Sequence, residues 1–393
     1  MEKSTTPHPP HLAAARRRRR PAPADRLTLK ALPLAVALCF CPALQAQVIN
    51  PNVDGLPQRG RVLSGDVSGV LDGSTKLTLT QTGQRAVIDW KSFNIDQGKE
   101  VQFVQPNASA AVLNLVSANA GMSEIYGKMS ANGMVLLMNP NGVLFHQGST
   151  INVASLIVTT GTINQSAFEA GGAFQITGAT AGSITNQGSI TAANAGLVAL
   201  VAPSVTNHGV IAATSGRIAL SGADRATVSL NNGLYEFAVD SGALGTNASI
   251  TNAAGASLSG GSILMSTGDA ANLVSGVINL QGVQQASSAI VVNGSTVVLK
   301  SDLDAPSISG SSNTVQVHDT ASIQYAVKIA KTGAPGAGAT VELQAGTFNE
   351  QVTLNKANLT LTGQAGAKLV VPDAAEVNGI AISANNVTVQ GME

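Results

Sequence analysis

The chain has 393 residues, of which 44% are hydrophobic, 3% aromatic and 11% charged, with 41 glycines and 22 basic residues balanced by 22 acidic ones. Disordered chains pair low hydrophobicity with high charge, so this composition excludes disorder along the whole length. Glu, Lys and Arg are too scarce to solubilise the outer faces of many helices, which excludes a helical enzyme and leaves a β-rich chain with a surface of Ser, Thr, Asn and Gln.

Residues 1–46 carry Lys3, Arg16 to Arg20, Arg26 and Lys30, followed by the apolar run Ala31-Leu-Pro-Leu-Ala-Val-Ala-Leu-Cys-Phe-Cys-Pro-Ala-Leu44. A basic lead, a short apolar core and a small residue at the cut describe a secretory signal peptide, with cleavage expected between Ala46 and Gln47. The run is too short to span a bilayer comfortably. Removing the eight basic and two acidic residues of this segment leaves 14 basic and 20 acidic, a net charge of −6. No basic stripe survives, which argues against a nucleic-acid partner. Both cysteines, Cys39 and Cys41, leave with the segment, so the exported chain enters an oxidising compartment without disulfides.

Two stretches follow in the N-terminal third. Val87-Ile-Asp-Trp-Lys-Ser-Phe-Asn-Ile-Asp96 holds the sole tryptophan, Trp90, and Phe93, and leads into Glu100-Val-Gln-Phe-Val-Gln-Pro-Asn107. Gly133-Met-Val-Leu-Leu-Met138 reads as a buried strand, and Val143-Leu-Phe145 as another. Between them lies Asn139-Pro140-Asn141-Gly142, where Pro140 fixes φ at a turn's second position and Asn141 and Gly142 tolerate positive φ. On the residues alone this is a tight turn between strands.

Repeats come next. Ser183-Ile-Thr-Asn-Gln-Gly-Ser-Ile190 recurs 21 residues later as Ser204-Val-Thr-Asn-His-Gly-Val-Ile211, and Ser249-Ile-Thr-Asn-Ala-Ala-Gly255 is a third copy, aligning Asn186, Asn207 and Asn252. Gly276-Val-Ile-Asn-Leu-Gln-Gly282 is a weaker echo. Short alternating apolar runs with Asn-x-Gly punctuation are strands with turns, and the 21-residue period fits one coil of a solenoid. The expected fold is all-β, a right-handed parallel β-helix with coils of about 21 residues and an N-terminal cap, its aligned asparagines forming a structural ladder at a turn.

Near residue 315 the style changes. Asp319-Thr-Ala-Ser-Ile-Gln-Tyr-Ala-Val-Lys-Ile-Ala330 reads as a short capped helix starting at the Asp-Thr pair. Gly333-Ala-Pro-Gly-Ala-Gly338 lacks the Gly-Lys-Ser/Thr of a phosphate loop. Thr340-Val-Glu-Leu-Gln-Ala-Gly-Thr-Phe348, Asn358-Leu-Thr-Leu-Thr-Gly363 and Asn386-Val-Thr-Val-Gln-Gly391 resemble the opening rungs of pectin-lyase-like β-helices, and the chain stops in mid-coil, as a piece of a longer protein would.

Catalytic groups do not assemble in this reading. The carboxylates Glu342, Glu350, Asp373 and Glu376 do not pair on one rung, and His8, His11, His146, His208 and His318 show no metal-ligand spacing. Ser and Thr are abundant without an identifiable His/Asp partnership. No catalytic residue, metal or cofactor is expected, and the protein is read as a non-enzyme. Six Asn-x-Ser/Thr sequons occur, at Asn107, Asn164, Asn247, Asn293, Asn358 and Asn386.

The pairing of Ile88-Asp-Trp-Lys-Ser-Phe-Asn-Ile-Asp96 and Val101-Gln-Phe103 with Asn139-Pro-Asn-Gly-Val143 and Ser149-Thr-Ile-Asn-Val-Ala-Ser155 resembles the secretion domain of two-partner-secreted exoproteins. This is the filamentous haemagglutinin group, in its high-molecular-weight adhesin branch. The family's Asn-Pro-Asn-Gly-Ile motif carries Val143 here, and its Asn-Pro-Asn-Leu motif has no counterpart beyond Gln105-Pro-Asn-Ala108. The resemblance implies recognition in the periplasm of a Gram-negative bacterium by an Omp85-type outer-membrane transporter with POTRA domains. It further implies passage through that pore unfolded, coiling up outside, and adhesion to a host-cell or surface glycan or protein receptor. It points to Asn139, Pro140, Asn141 and Gly142, with Trp90 and Phe93, for transporter recognition or folding nucleation. The implied division is a signal peptide over 1–46, the secretion domain over 47–300, and the start of a pectin-lyase-like β-helix over 315–393. A carbohydrate-active enzyme of the pectin-lyase-like class and the N-terminal part of a contact-dependent toxin carrier are the alternatives.

Overall fold

The computed structural model describes residues 48–393 except for 50, 180, 232–233, 240–247, 269–276 and 372–377. The signal segment with its cut at Ala46 and Gln47, the sequon at Asn247, and Asp373 and Glu376 lie outside the described residues. The repeats coil as a parallel β-helix with three faces. A representative turn runs from Val143–Phe145 on the first face to Thr150–Val153 on the second and Ser155–Thr159 on the third. The first face is a sheet of 11 strands, all paired in parallel, from Ser123–Ile125 to Thr388–Gln390. The parallel crossovers impose the right hand.

Register follows the sequence repeat: Ser183 to Asn186 pair with Ser204 to Asn207, and these with Ser249 to Asn252. On these strands alternate residues are buried, because one side faces the solenoid interior and the other faces water. The step is 21 residues from Asn186 to Asn207 and shortens to 19 and then 18 through Val277, Thr296 and Thr314. It lengthens to 45 between Asn207 and Asn252, because the chain leaves the solenoid between them. The ladder passes from Thr296–Leu299 to Thr314–Val317 and on to Thr340–Leu343 without a change of sheet.

At the N-terminal end the pairing reverses. Val67–Asp72 lies antiparallel to Lys76–Gln81, the first strand of the second face. Gly60–Ser64 lies antiparallel to Arg85–Trp90, the first strand of the third, and Val48–Ile49 to Gly60–Ser64. Antiparallel strands therefore occupy the ladder positions that a preceding coil would fill, and they form the cap.

The third face has a second covering. Its strands Ser155–Thr159 and Leu197–Val201 are buried at every position, and Ala111–Val116 and Met134–Met138, further along the same sheet, at all but one. The outward residues Val87, Leu113, Leu136, Ile157 and Leu197 pack against Phe168, Phe174, Ile176 and Val228 in a core separate from the solenoid interior. Those covering residues come from two excursions that share one antiparallel sheet of Thr162–Ile163, Phe174–Thr177, Ala226–Asn231 and Leu234–Val239. Between its first two strands sits a helix, Gln165–Ala170. Asn164, a sequon residue, is its N-cap and accepts from Ala167 N, while Gly171 at φ +78° ends it.

The second helix spans Ile323–Ile329, and its N-cap is Ser322 rather than the Asp319-Thr320 pair. The chain is still turning at Asp319, where Ala321 N donates to His318 O. The Glu350 carboxylate from the following coil accepts from Ile323 N and Gln324 N, which fixes where the helix starts. At the other end the Lys356 ammonium donates to the carbonyls of Lys328 and Ala330. No helix among the described residues is long and apolar enough to cross a membrane.

Candidate functional site

The Asn139–Gly142 turn joins the first-face strand Val143–Phe145 to the third-face strand Met134–Met138 before it. Gly142 N donates to Asn139 O at 3.0 Å, closing the four-residue turn with Pro140 and Asn141 in the centre. Only Gly142 takes a positive φ, at +107°, and a Cβ there would stand 2.6 Å from Ser183 O in the next coil. Glycine is required by both conformation and space.

Asn139 is fully buried and every polar group on it has a partner. Its Oδ1 accepts from Asn141 N at 2.9 Å, and its Nδ2 donates to Gly121 O at 3.0 Å and Ser123 Oγ at 2.9 Å in the preceding coil. Its backbone N donates to Thr159 O at 3.0 Å in the following one. One residue thus ties three successive coils. Pro140 is half-buried and Asn141 is exposed, with Nδ2 donating to Ala118 O at 2.8 Å. Asn141 and Pro140 are the part of the turn that another molecule can touch.

Trp90 and Phe93 are wholly buried, edge to face with centroids 5.8 Å apart. They sit under the cap, and the Gly60 backbone lies so close to the indole that a Cβ would stand 2.5 Å from it. Trp90 Nε1 donates to Asn114 Oδ1 at 2.9 Å, and Asn114 Nδ2 to Leu136 O at 3.1 Å, again crossing three coils. Neither aromatic ring presents surface to a partner in the folded state.

Sequence reasoning missed Asn114 and also Gln105. Gln105 is buried and donates from Nε2 to Gln81 Oε1, Ala110 O and Met134 O, while its backbone N donates to Asn132 Oδ1 and its backbone O accepts from Asn132 Nδ2. A lone polar residue inside the apolar run Ala111-Val-Leu-Asn-Leu-Val116 was the available signal. Further along, Asn186 Nδ2 donates to Asn207 Oδ1 and Asn207 Nδ2 to Asn252 Oδ1, both at 2.8 Å, and Asn252 Nδ2 ends the series on Val283 O. All three asparagines are buried. The next residue in register is Leu280, where the ladder stops.

Among the described residues no group of three or more His, Cys, Asp and Glu is arranged to hold a metal ion. Of the C-terminal carboxylates, the two that are described have structural partners: Glu342 accepts from Gln316 and Gln364, and Glu350 caps the helix.

A family model described as TPS secretion domain matches residues 63–317, more than half of the chain. The chain belongs to the TPS secretion domain family. A TPS domain serves export by way of the periplasm through the partner transporter of a two-partner secretion system. The crystal structure of the HMW1 secretion domain from Haemophilus influenzae aligns with 85% of this chain and 99% of its own, with a TM-score of 0.52 at 20% identity, and shares the fold. Two heme/hemopexin-binding proteins of Haemophilus influenzae are 48% and 46% identical to this chain over 105 residues. That stretch is about a quarter of this chain and 11% of each relative, so the match spans about a tenth of the relatives' length.

Proposed function

We propose that residues 48–317 are the export address and folding seed of a larger adhesive exoprotein of a Gram-negative bacterium. An Omp85-type outer-membrane transporter receives them through its periplasmic POTRA domains, and the passenger then works at the cell surface. The match of the TPS secretion domain model over residues 63–317 carries this reading. Within it we divide the roles of the singled-out residues. Asn139 and Gly142 with Trp90 and Phe93 act in nucleation, since all four are spent on contacts inside the fold. Asn141 and Pro140 are the residues left for a transporter to contact in a folded or partly folded turn. No catalytic role is assigned, in keeping with the structural use of Glu342 and Glu350.

The test is release into the medium from a host with an outer membrane, with and without a co-expressed candidate two-partner transporter. Purified protein is refolded from urea in parallel. Asn139→Ala is expected to slow refolding at least tenfold and to reduce release, whereas Asn141→Ala keeps the refolding rate and lowers release alone. Release that does not depend on the transporter would overturn the export assignment. Equal effects of the two substitutions on refolding would overturn the division of roles. A heme- or hemopexin-binding passenger is a second reading, favoured by the 48% identity to the Haemophilus influenzae protein, and retention on hemopexin beads would separate it from adhesion.

A further inference from the structure

Each coil turns a corner where the first face meets the second, and the first three corners differ in length. Ile95, Ile125 and Phe145 are in register on one side of the corner, and Glu100, Lys128 and Thr150 on the other. Between these positions the outer two coils place Asp96-Gln-Gly-Lys99 and His146-Gln-Gly-Ser149, while the middle coil has only Tyr126 and Gly127. The two longer corners are the same turn, closed by Lys99 N to Asp96 O and by Ser149 N to His146 O, each at 3.0 Å, with Gly98 and Gly148 at positive φ. Two residues fewer in the middle leave a notch of about 330 Å³ between two matching lips.

The notch has a defined chemistry. Its floor is Gly127, where even a Cβ would stand 2.3 Å from Lys99 O, so no side chain can fill it. Tyr126 forms a wall, 38% exposed, with its ring held by His146 stacked at 3.6 Å and 11°. Gln97 and Gln147 stand at equivalent places on the two lips, both exposed, and each primary amide offers donors and an acceptor. Glu100 is neutralised by Lys76 at 3.0 Å, and the Lys99 ammonium donates to Ser74 O. The Lys128 ammonium is exposed and has no ion pair or hydrogen bond among the described residues.

We propose that this notch binds one ring of an acidic saccharide, a sugar carrying a single carboxylate. The volume is at the small end of ligand pockets and suits one ring better than an extended molecule. A braced aromatic wall matches the C–H face of a sugar, two opposed amides match its hydroxyls, and the unpaired ammonium matches the carboxylate. None of these residues takes part in the Asn139–Gly142 turn.

The experiment titrates the exported chain, residues 47–393, with cellobiouronic acid and with cellobiose, following backbone amide shifts by NMR. Saturable shifts at Gly127 and Gly148 are expected with the acid, and affinity at least tenfold lower with the neutral disaccharide. Lys128→Gln should bring the acid down to the neutral level. Tyr126→Ala should remove binding of both, and Tyr126→Phe, which keeps the stack on His146, should retain it. Lys128 and the Tyr126 hydroxyl make no hydrogen bond or ion pair among the described residues, so Lys128→Gln and Tyr126→Phe are expected to leave thermal stability unchanged. No shifts with either sugar at millimolar concentration, equal affinity for both, or full binding by Tyr126→Ala would each overturn the proposal.

Discussion

Asn207 sits between two other asparagines with both halves of its amide committed: Oδ1 accepts from Asn186 and from Gly209 N, and Nδ2 donates to Asn252. Truncation to alanine strands a donor on Asn186 and an acceptor on Asn252 in the buried interior, where an unmade hydrogen bond costs about 1–3 kcal/mol. Asn207→Ala is therefore expected to destabilise the chain by about 3 kcal/mol in urea unfolding. Asn252→Ala should cost less, because Asn252 ends the ladder and its loss strands one asparagine partner rather than two. This ladder was legible in the sequence because the same residue recurs in the same frame. The ties made by Asn114 and Gln105 were not, since each occurs once and its partners in the flanking coils lie 22 to 29 residues away with no repeat to align them.

Elements whose burial comes from excursions are harder to read. The continuous apolar run Met134–Met138 announces a strand buried on both sides, but its outer cover arrives from segments well downstream. Phe168 lies fully buried in that cover, edge to face with Phe174 at 6.0 Å. Phe168→Ala is expected to cost about 3–5 kcal/mol and to bind a dye for exposed apolar surface, while circular dichroism of the solenoid strands is retained. The helix Ile323–Ile329 was legible in its apolar spacing but not in its start, which a carboxylate from the next coil decides. Just before it, His318 has its pKa lowered below the usual 6.5, chiefly by burial and then by the Lys300 charge. Its unfolded form takes up a proton first as the pH falls, so this contribution to stability is complete above about 6.5 and is lost as pH drops toward the lowered value. The loss of thermal stability on going from pH 7.5 to 5 should be smaller in His318→Gln than in the natural chain.

On the scale of the whole molecule, the coiling follows from the Ser-x-Thr-Asn repeats and a cap at the N-terminal end was expected, whereas the three faces and the antiparallel pairing of the cap were not legible. The run Val67–Asp72 buries only Val67, so no alternation marks it as a strand or shows whether its partner is antiparallel or parallel. Deleting residues 48–72 uncovers the leading edges of Lys76–Gln81 and Arg85–Trp90, and open edges of this length pair with other chains. Light scattering is expected to report oligomers of the deleted chain at micromolar concentration where the intact chain remains monodisperse.

A layered crystal with one facet poisoned thickens from the opposite facet alone. The reversed strands at the cap put this molecule in the same condition, for no further layer can be laid on the side they occupy. Every settled layer is then the sole growth surface for the one after it, so order along the chain becomes order in time.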